Sequence, residues 1–398
     1  MIHMNRNEIT YLVGDERLEL RPFPVYSEEI CNFLDDLSKE LRQDASAKRF
    51  PDIMTFAFWC RRGNIIRLKQ EYPFLHNRVG RGMVFHIAPS NVPINFAYTL
   101  VFGLLAGNAN VVRVSKKSYE QVNIVCRVMG GLLQQQKYGF LRNMIQVVSY
   151  GHDAEINDYY SEKCDVRVIW GGDSTIKEVR QSQLRPRATE ITFADRYSFA
   201  VFDEGAVEAL SEEQCRGLAE KFYNDTYLMD QNACSSPHLV LWLNAAEGER
   251  TGRQRFWKAL CQAAEKYDMP EKKVMDKYTL LCENAVDFCG EAALQMYGNL
   301  LYVVSLAELP EPLDILRGKF GLFYQGEITS LQEIGSRLSD KVQTCVVFGV
   351  DAGELAKCFI ESHVRGVDRI VPVGEAMDIG VYWDGYDVIG SLSRGIIF

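Results

Sequence analysis

The stretch DQNACSSPH, residues 230–238, sets one cysteine among small polar residues just before the apolar run LVLWL. A buried thiol packs as a small hydrophobe. A nucleophilic thiol needs partial exposure and room for a substrate to approach, and even an unperturbed one is a few per cent ionised near neutrality. The polar, small neighbours of Cys234 suit the second role. His238 and His363 are candidate bases for it, although a lone histidine is more often structural. HIAPSNVP (86–93) places Ser90 and Asn91 between a strand and a buried helix. An amide there could donate to an oxyanion, or Asn91 could simply cap the helix, which is the commoner local arrangement. WGGDSTIKEVR (170–180) joins a strand end, two glycines and a helix start. Backbone N–H groups at such a start can hold a pyrophosphate, but a plain glycine turn with an N-cap reads the same way.

These residues need elements to position them. MVFHIAPS (83–90), ANVVRVS (109–115), MIQVVSY (144–150) and VRVIWGG (166–172) read as strands. INFAYTLVFGLLAG (94–107), opened by Pro93, reads as a buried helix, 118–136 as an amphipathic one and 174–183 as a third. Strand and helix alternating at this spacing predict a parallel sheet with crossover helices. The alternation restarts past residue 205, with a helix at 211–229, the Cys234 loop, HLVLWL, a helix at 247–268, and strands near 299–306, 343–350 and 369–373. Residues 1–79 look mostly helical. The expected organisation is 1–205 as an N-terminal and nucleotide-binding domain and 206–362 as a catalytic domain carrying Cys234. Residues 363–398 are a C-terminal segment packing back on the core or at a dimer interface.

The bulk numbers remove several function classes. The 398 residues are 47% hydrophobic and 24% charged, a globular composition. A formal net charge of −9, with no Lys/Arg run longer than a pair, argues against a nucleic-acid partner. The eleven cysteines are scattered and form no C-x-x-C pair. That favours reduced thiols over a disulfide framework and leaves a zinc site without its ligand spacing, so no metal is expected. The N-terminus lacks the apolar core of a signal peptide, and the longest apolar stretch falls short of the about 20 residues a bilayer span needs. The expectation is a soluble cytoplasmic protein. It has no G-x-G-x-x-G, Walker A, H-E-x-x-H or G-x-S-x-G motif.

Taken together, the motifs are more specific than any one of them. APSNVP, AGNANVVRVSKKS (106–118), VIWGGDST and DQNACSS resemble, in order and spacing, the aldehyde dehydrogenase superfamily. Its matching motifs are a proline-Asn turn, a G-N-x-V-V-x-K-P-S-E run, a strand-Gly-Ser turn and a G-Q-x-C nucleophile. FADRYSFAVFDE (193–204) and RGVDRIVPVGEAMDIGVYWDGYDVIGSLSR (365–394) narrow the resemblance to the LuxC acyl-CoA reductases of bacterial bioluminescence. It runs from about residue 80 to the C-terminus. It implies an α/β, aldehyde dehydrogenase-like fold, with a parallel Rossmann-like cofactor domain and a second α/β domain carrying the thiol.

Carried over residue by residue, the resemblance makes Cys234 the nucleophile and Asn91 the oxyanion-hole amide. Gly172 and Ser174 belong to the pyrophosphate turn, with Asp173 where many relatives carry Ser. Arg113 and Ser115 fall at the Lys and Ser of the K-P-S-E run. Lys116 stands where NAD-using relatives carry the Glu that binds the adenosine ribose. Arg113 with Lys116 would attract a 2′-phosphate, so the expected cofactor is NADPH. Glu190 is out of register with the water-activating Glu of hydrolytic relatives, which suits acyl exchange with coenzyme A rather than hydrolysis. The implied reaction reduces an acyl-CoA, with a fatty acyl chain expected, to the aldehyde through an S-acyl-Cys234. An acyl-protein synthetase partner and a homodimer or higher oligomer are implied too. The alternatives are an acyl-phosphate reductase, or an acyl-carrier or transferase subunit of a larger complex.

Overall fold

The computed structural model describes residues 9–72, 77–151, 153–243, 251–288 and 290–398. The chain divides into two compact units. One comprises residues up to Ala194 together with Gly380–Phe398, and the other Asp195–Ile379.

The strands of the first unit are β1 (Thr10–Val13), β2 (Arg78–Gly80), β3 (Met83–Ile87), β4 (Ala109–Val114), β5 (Ile145–Ser149), β6 (Val166–Trp170) and β7 (Thr189–Phe193). Six of them form a sheet in the order β1-β5-β4-β3-β6-β7, parallel except for β1. The chain moves outward from β3 through β4 to β5, then returns to the other side of β3 for β6 and β7. That is the doubly wound order, and ligands of such sheets bind beyond the carboxyl ends of the strands beside the switch point. The strands are near-continuous apolar runs because helices cover both faces of a parallel sheet. The helix Asn95–Leu105 has ten of its eleven residues buried. It begins two residues after Pro93, which sits in the preceding turn rather than in the first helical turn as expected. The N-terminal stretch carries the expected helices, Glu28–Gln43, Pro51–Trp59 and Arg62–Glu71, and also β1 and β2.

A buried polar chain ties this sheet to its helix. His86 donates from Nε2 to Asn110 Oδ1 (3.0 Å) and accepts at Nδ1 from Thr99 Oγ1 (2.8 Å). Thr99 Oγ1 in turn accepts from the Trp170 indole at 3.0 Å. Gly103 makes room for it, since a Cβ there would lie 1.8 Å from Asn110 Oδ1. Each link is satisfied, so a polar core costs little here. Its outcome is a fixed strand end at Trp170, whose ring also stacks on Phe193 at 3.7 Å.

The second unit holds β8 (Tyr197–Asp203), β9 (Pro237–Leu243), β10 (Ala292–Tyr297), β11 (Leu301–Leu306), β12 (Leu322–Ile328), β13 (Val342–Phe348) and β14 (Arg369–Pro372). They form one sheet ordered β10-β11-β12-β9-β8-β13-β14, antiparallel only between β10 and β11. Alternate residues serve two cores: Ala200, Phe202, Val240 and Trp242 enter one, Phe199, Val201, Leu239 and Leu241 the other. The C-terminal residues add β15 (Tyr382–Trp383), β16 (Tyr386–Asp387) and β17 (Ser393–Gly395) to the first unit. There β17 pairs antiparallel with β2, and Arg78 donates to Ser393 Oγ and Gly390 O.

The expected boundaries shift accordingly. The division falls at 194/195 instead of 205/206, because β8 lies between β9 and β13 in the second sheet. The returning segment starts at 380 rather than 363, since β14 also belongs to that sheet. The expected helix 247–268 is found as Thr251–Ala263, its residues 247–250 lying outside the described part. No described helix is long and apolar enough to cross a membrane.

Candidate active site

Cys234 lies half-buried in the loop that feeds β9. Two consecutive left-handed residues, Asp230 (φ 55°) and Gln231 (φ 59°), turn the chain into that loop. Such non-glycine conformations persist only where the surroundings hold them. Gln231 does the holding. Its buried amide donates to Pro237 O and Leu322 O, both at 3.1 Å, and accepts from Gly321 N at 3.2 Å. The loop is thereby pinned to β9 and to the start of β12. Ser236 Oγ donates to Asp225 O (2.8 Å), and Ser198 Oγ donates to the carbonyl of Cys234 (2.7 Å). On the sulfur itself, the amide of Gln343 donates from Nε2 at 3.4 Å.

Asp225, at the end of the helix Glu212–Thr226, accepts from the N–H groups of Gly374 (2.6 Å) and Ala376 (3.0 Å). Burial outweighs those two donors and pushes its carboxyl up to about 7. Gly374, with φ 101°, supplies a turn that side-chain-bearing residues rarely adopt. The turn at 374–376 and the Cys234 loop thus share one anchor.

The two histidine candidates sit in different surroundings. His238 is buried against Tyr197, with ring centroids 5.2 Å apart, and its Nδ1 accepts the Gly318 N–H at 3.1 Å. Burial, with the Arg317 charge adding to it, lowers its pKa to about 3. A neutral ring committed to a backbone donor is a poor base for a thiol. His363 is exposed, with φ 52°, just past the helix Ala352–Glu361.

His238 yields a pH prediction with a definite sign. A histidine whose folded pKa lies below its ordinary 6.5 contributes stability that is complete above pH 6.5 and lost as pH falls toward 3. His86, lowered to about 4 by burial, acts in the same direction. Asp225, raised, acts oppositely, its contribution fading as pH rises from about 4 toward 7. The difference between native protein and His238→Asn isolates one group, because Asn Oδ1 can take the place of Nδ1 on Gly318. Between pH 6.5 and 5 the native protein is expected to lose roughly 2 kcal/mol more than the variant. Urea unfolding at both pH values reads this directly, and equal losses would refute it.

The first unit presents its nominated residues at the carboxyl ends of β3, β4 and β6. Asn91 is exposed and does not cap the following helix, whose N-cap is Ile94. Ser90 is exposed, and its carbonyl accepts from Tyr119 Oη at 2.6 Å. Arg113 is half-buried near the end of β4. Its Nη2 donates to Gly151 O at 3.5 Å, its guanidinium lies 5.3 Å from the Tyr150 ring centroid, and its buried Nε has no hydrogen-bond partner. Lys116 is exposed, with Nζ 3.5 Å from where a Cβ on Gly151 would stand. Two cations therefore converge on one glycine. Ser115 Oγ accepts from Lys117 N at 3.1 Å. Gly172 is the N-cap of the short helix Asp173–Val179, with open space around its Cα, and Ser174 is exposed in its first turn.

Glu190 is spoken for: its carboxylate accepts from Arg167 (2.5 and 2.8 Å) and Arg180 (2.7 Å). Arg167 is itself buried and held by Ser161, Val179 O and Ser182 O. A carboxylate so engaged holds β6, β7 and the adjoining helix together and is not poised to activate water. Among the described residues, no three His, Cys, Asp or Glu side chains gather as a metal ion would require. Sequence reasoning missed Gln231, Asp225 and Gln343. Gln231 could have been found in DQNAC as the glutamine of the resembled G-Q-x-C run, three residues before the thiol. Gln343, 109 residues from Cys234, left no local signal.

Two winding sheets, one with nucleotide-type loops and one with a thiol loop before a buried strand, make an aldehyde dehydrogenase-like fold, and solved structures agree. Lactaldehyde dehydrogenase from Escherichia coli aligns with a TM-score of 0.64 at 12% identity, covering 94% of this chain and 86% of that one. 1-Pyrroline-5-carboxylate dehydrogenase from Thermus thermophilus gives 0.61 at 13%, covering 93% and 81%. An indole-3-acetaldehyde dehydrogenase solved with NAD+ gives 0.61 at 12%, covering 92% and 82%. Comparison with curated protein sequences gives no match. The acyl-CoA reductase (LuxC) family profile matches residues 24–284, well over half of the chain, and the protein belongs to that family. It is an aldehyde-forming oxidoreductase of the acyl-CoA reductase type.

Proposed function

We propose that the protein reduces a fatty acyl-CoA to the aldehyde with NADPH, through an acyl group carried on Cys234. The observation that carries this reading is the thiol itself: half-buried, in a loop fixed by Gln231, with an amide donated to its sulfur. The Cys234 thiolate attacks the thioester carbonyl, and coenzyme A departs as its thiolate. The oxyanion formed on the way is held by the Cys234 backbone N–H and, by the family resemblance, by the Asn91 amide. Losing one such donor typically costs ~10²–10³ in rate. NADPH, when bound, supplies the hydride that the acyl carbon takes. Arg113 and Lys116, converging on Gly151, have the charge for its 2′-phosphate. Gly172, open around its Cα, lets a pyrophosphate approach the helix start. The commitment of Glu190 to Arg167 and Arg180 supports exchange with coenzyme A over hydrolysis. Self-association and an acyl-protein synthetase partner belong to the same reading and rest on the resemblance, and residence in the cytoplasm rests on the scattered cysteines and the N-terminal sequence.

The test is to incubate the protein with acyl-CoAs of graded length, without nucleotide, and to map any adduct by mass spectrometry. An adduct on Cys234 that NADPH clears with release of aldehyde is the expected result, and its length dependence names the chain. An adduct that NADPH leaves in place would favour the carrier reading. No adduct with any thioester, but one with an acyl phosphate, would move the protein to acyl-phosphate reduction.

A further inference from the structure

Gln343 is wholly buried at the start of β13 and reaches the Cys234 sulfur across the sheet edge. Its Oε1 accepts from Thr344 Oγ1 at 3.2 Å, which leaves the NH2 end of the amide to face Sγ. The same strand steadies the other end of the cysteine. Thr344 N donates to Ser198 Oγ at 3.2 Å, and Ser198 Oγ donates to Cys234 O at 2.7 Å. Two neighbouring residues of β13 thereby grip both the sulfur and the carbonyl of one loop residue.

We propose that Gln343 is a catalytic residue: its amide holds Cys234 as the thiolate at the start of the reaction and receives it as the leaving group at the end. The proposal rests on reading Cys234 as the acyl-accepting nucleophile. A hydrogen bond to a full charge is about twice as strong as one between neutral groups. The N–H therefore favours thiolate over thiol and lowers the thiol's pKa. The donor has no titratable proton, so the cycle runs without an imidazole at the sulfur. The thiolate attacks the acyl carbon; the bond from carbon to Cys234 forms, the bond to coenzyme A breaks, and the departing thiolate takes its proton from solvent. NADPH, when bound, would supply a hydride to that carbon, its electron pair becoming the C–H bond and leaving an alkoxide. The carbonyl re-forms as the C–S bond breaks, and that pair returns to sulfur beside Gln343. Thiolate enters and thiolate leaves. This accounts for His238 being committed to the Gly318 N–H, neutral and buried.

The effect is shared between steps. A thiolate loses part of its nucleophilicity as its pKa falls, with a Brønsted slope of about 0.4–0.5, so attack near neutrality gains only a few-fold. Departure of sulfur gains the complementary fraction, also about a few-fold per pKa unit.

The experiment follows iodoacetamide alkylation of Cys234 against pH by peptide mapping, beside aldehyde formation. In Gln343→Met, of similar length and without the donor, the apparent thiol pKa is expected to rise by about one to two units. Aldehyde formation should drop by roughly three- to tenfold while circular dichroism is unchanged. Thr344→Val, which only frees the amide's orientation, should move the pKa the same way by less, and it serves if the methionine variant fails to fold. An unchanged pKa in folded variants that still take the acyl group overturns the role of Gln343 and leaves the Cys234 reading standing. A pKa that does shift, in a protein whose native form takes no acyl group, overturns the Cys234 reading instead.

Discussion

Cys234→Ser should retain its fold and lose aldehyde formation by ~10³-fold or more, since removing a nucleophile from an enzyme that carries an intermediate on it costs that much or greater. The serine hydroxyl fits the same half-buried space but is fully protonated near neutrality, whereas a thiol is not. The loop is held through Gln231, Ser236 and the Cys234 carbonyl rather than through the sulfur alone, so its geometry should survive the exchange. The control is Cys282, which is exposed on the helix Glu271–Asn284 and open to reagents. If exposure alone decided reactivity, Cys282 would take the acyl group in the native protein and Cys282→Ser would abolish the adduct. The expected result is the reverse: Cys282→Ser keeps full activity, and Cys234→Ser gives no acyl-enzyme by mass. Full aldehyde formation by Cys234→Ser would remove the covalent mechanism.

How much of this was legible in the sequence depended on whether the signal was local. β3 to β6 could be read because a parallel sheet covered on both faces demands unbroken apolar runs. β12 escaped because Gln325, Gly326 and Glu327 interrupt its run, and each has a tertiary reason. Gln325 Oε1 accepts from the indoles of both Trp242 and Trp257. A Cβ on Gly326 would lie 2.5 Å from Leu309, and Glu327 pairs with Arg253. Polar residues in that strand are satisfied by partners far away in sequence, so periodicity alone could not place them. The site divides in the same way. Cys234, Asn91 and Gly172 sit in motifs whose order survives, and their loops could be read. Pro93 and Asn91 carry helix-start chemistry, yet the helix begins at Asn95, with Ile94 at its N-cap and no side-chain cap hydrogen bond. Asp225 and Gln343 act across the sheet, and only the strand order β9-β8-β13 brings β13 within reach of the loop before β9.

On the proposed use of NADPH, the nucleotide preference should be the most easily inverted property of the protein. Lys116→Glu replaces an exposed cation beside Gly151 with a carboxylate, so the change should cost no stability. Its electrostatic effect on a bound 2′-phosphate counts twice, by removing an attraction and adding a repulsion. Near a surface, with an effective dielectric of about 20, two unit charges 4 Å apart interact by about 4 kcal/mol, and salt reduces this. Even a heavily screened remainder of about 3 kcal/mol corresponds to ~10² in the ratio of kcat/KM for NADPH over NADH. The loss should fall on NADPH, while NADH, with a free ribose hydroxyl for the new carboxylate to accept from, should hold level or improve. Arg113 is retained and half-buried, so it sets a floor under the residual NADPH preference, and Lys116→Glu with Arg113→Ala should fall below it. Ionic strength separates the causes: native NADPH affinity should weaken with added salt, and the variant's should hardly respond. A ratio unmoved by Lys116→Glu would mean that this lysine faces water alone. The cation pair at Gly151 would then be a feature of the β4–β5 edge, without a part in choosing the nucleotide.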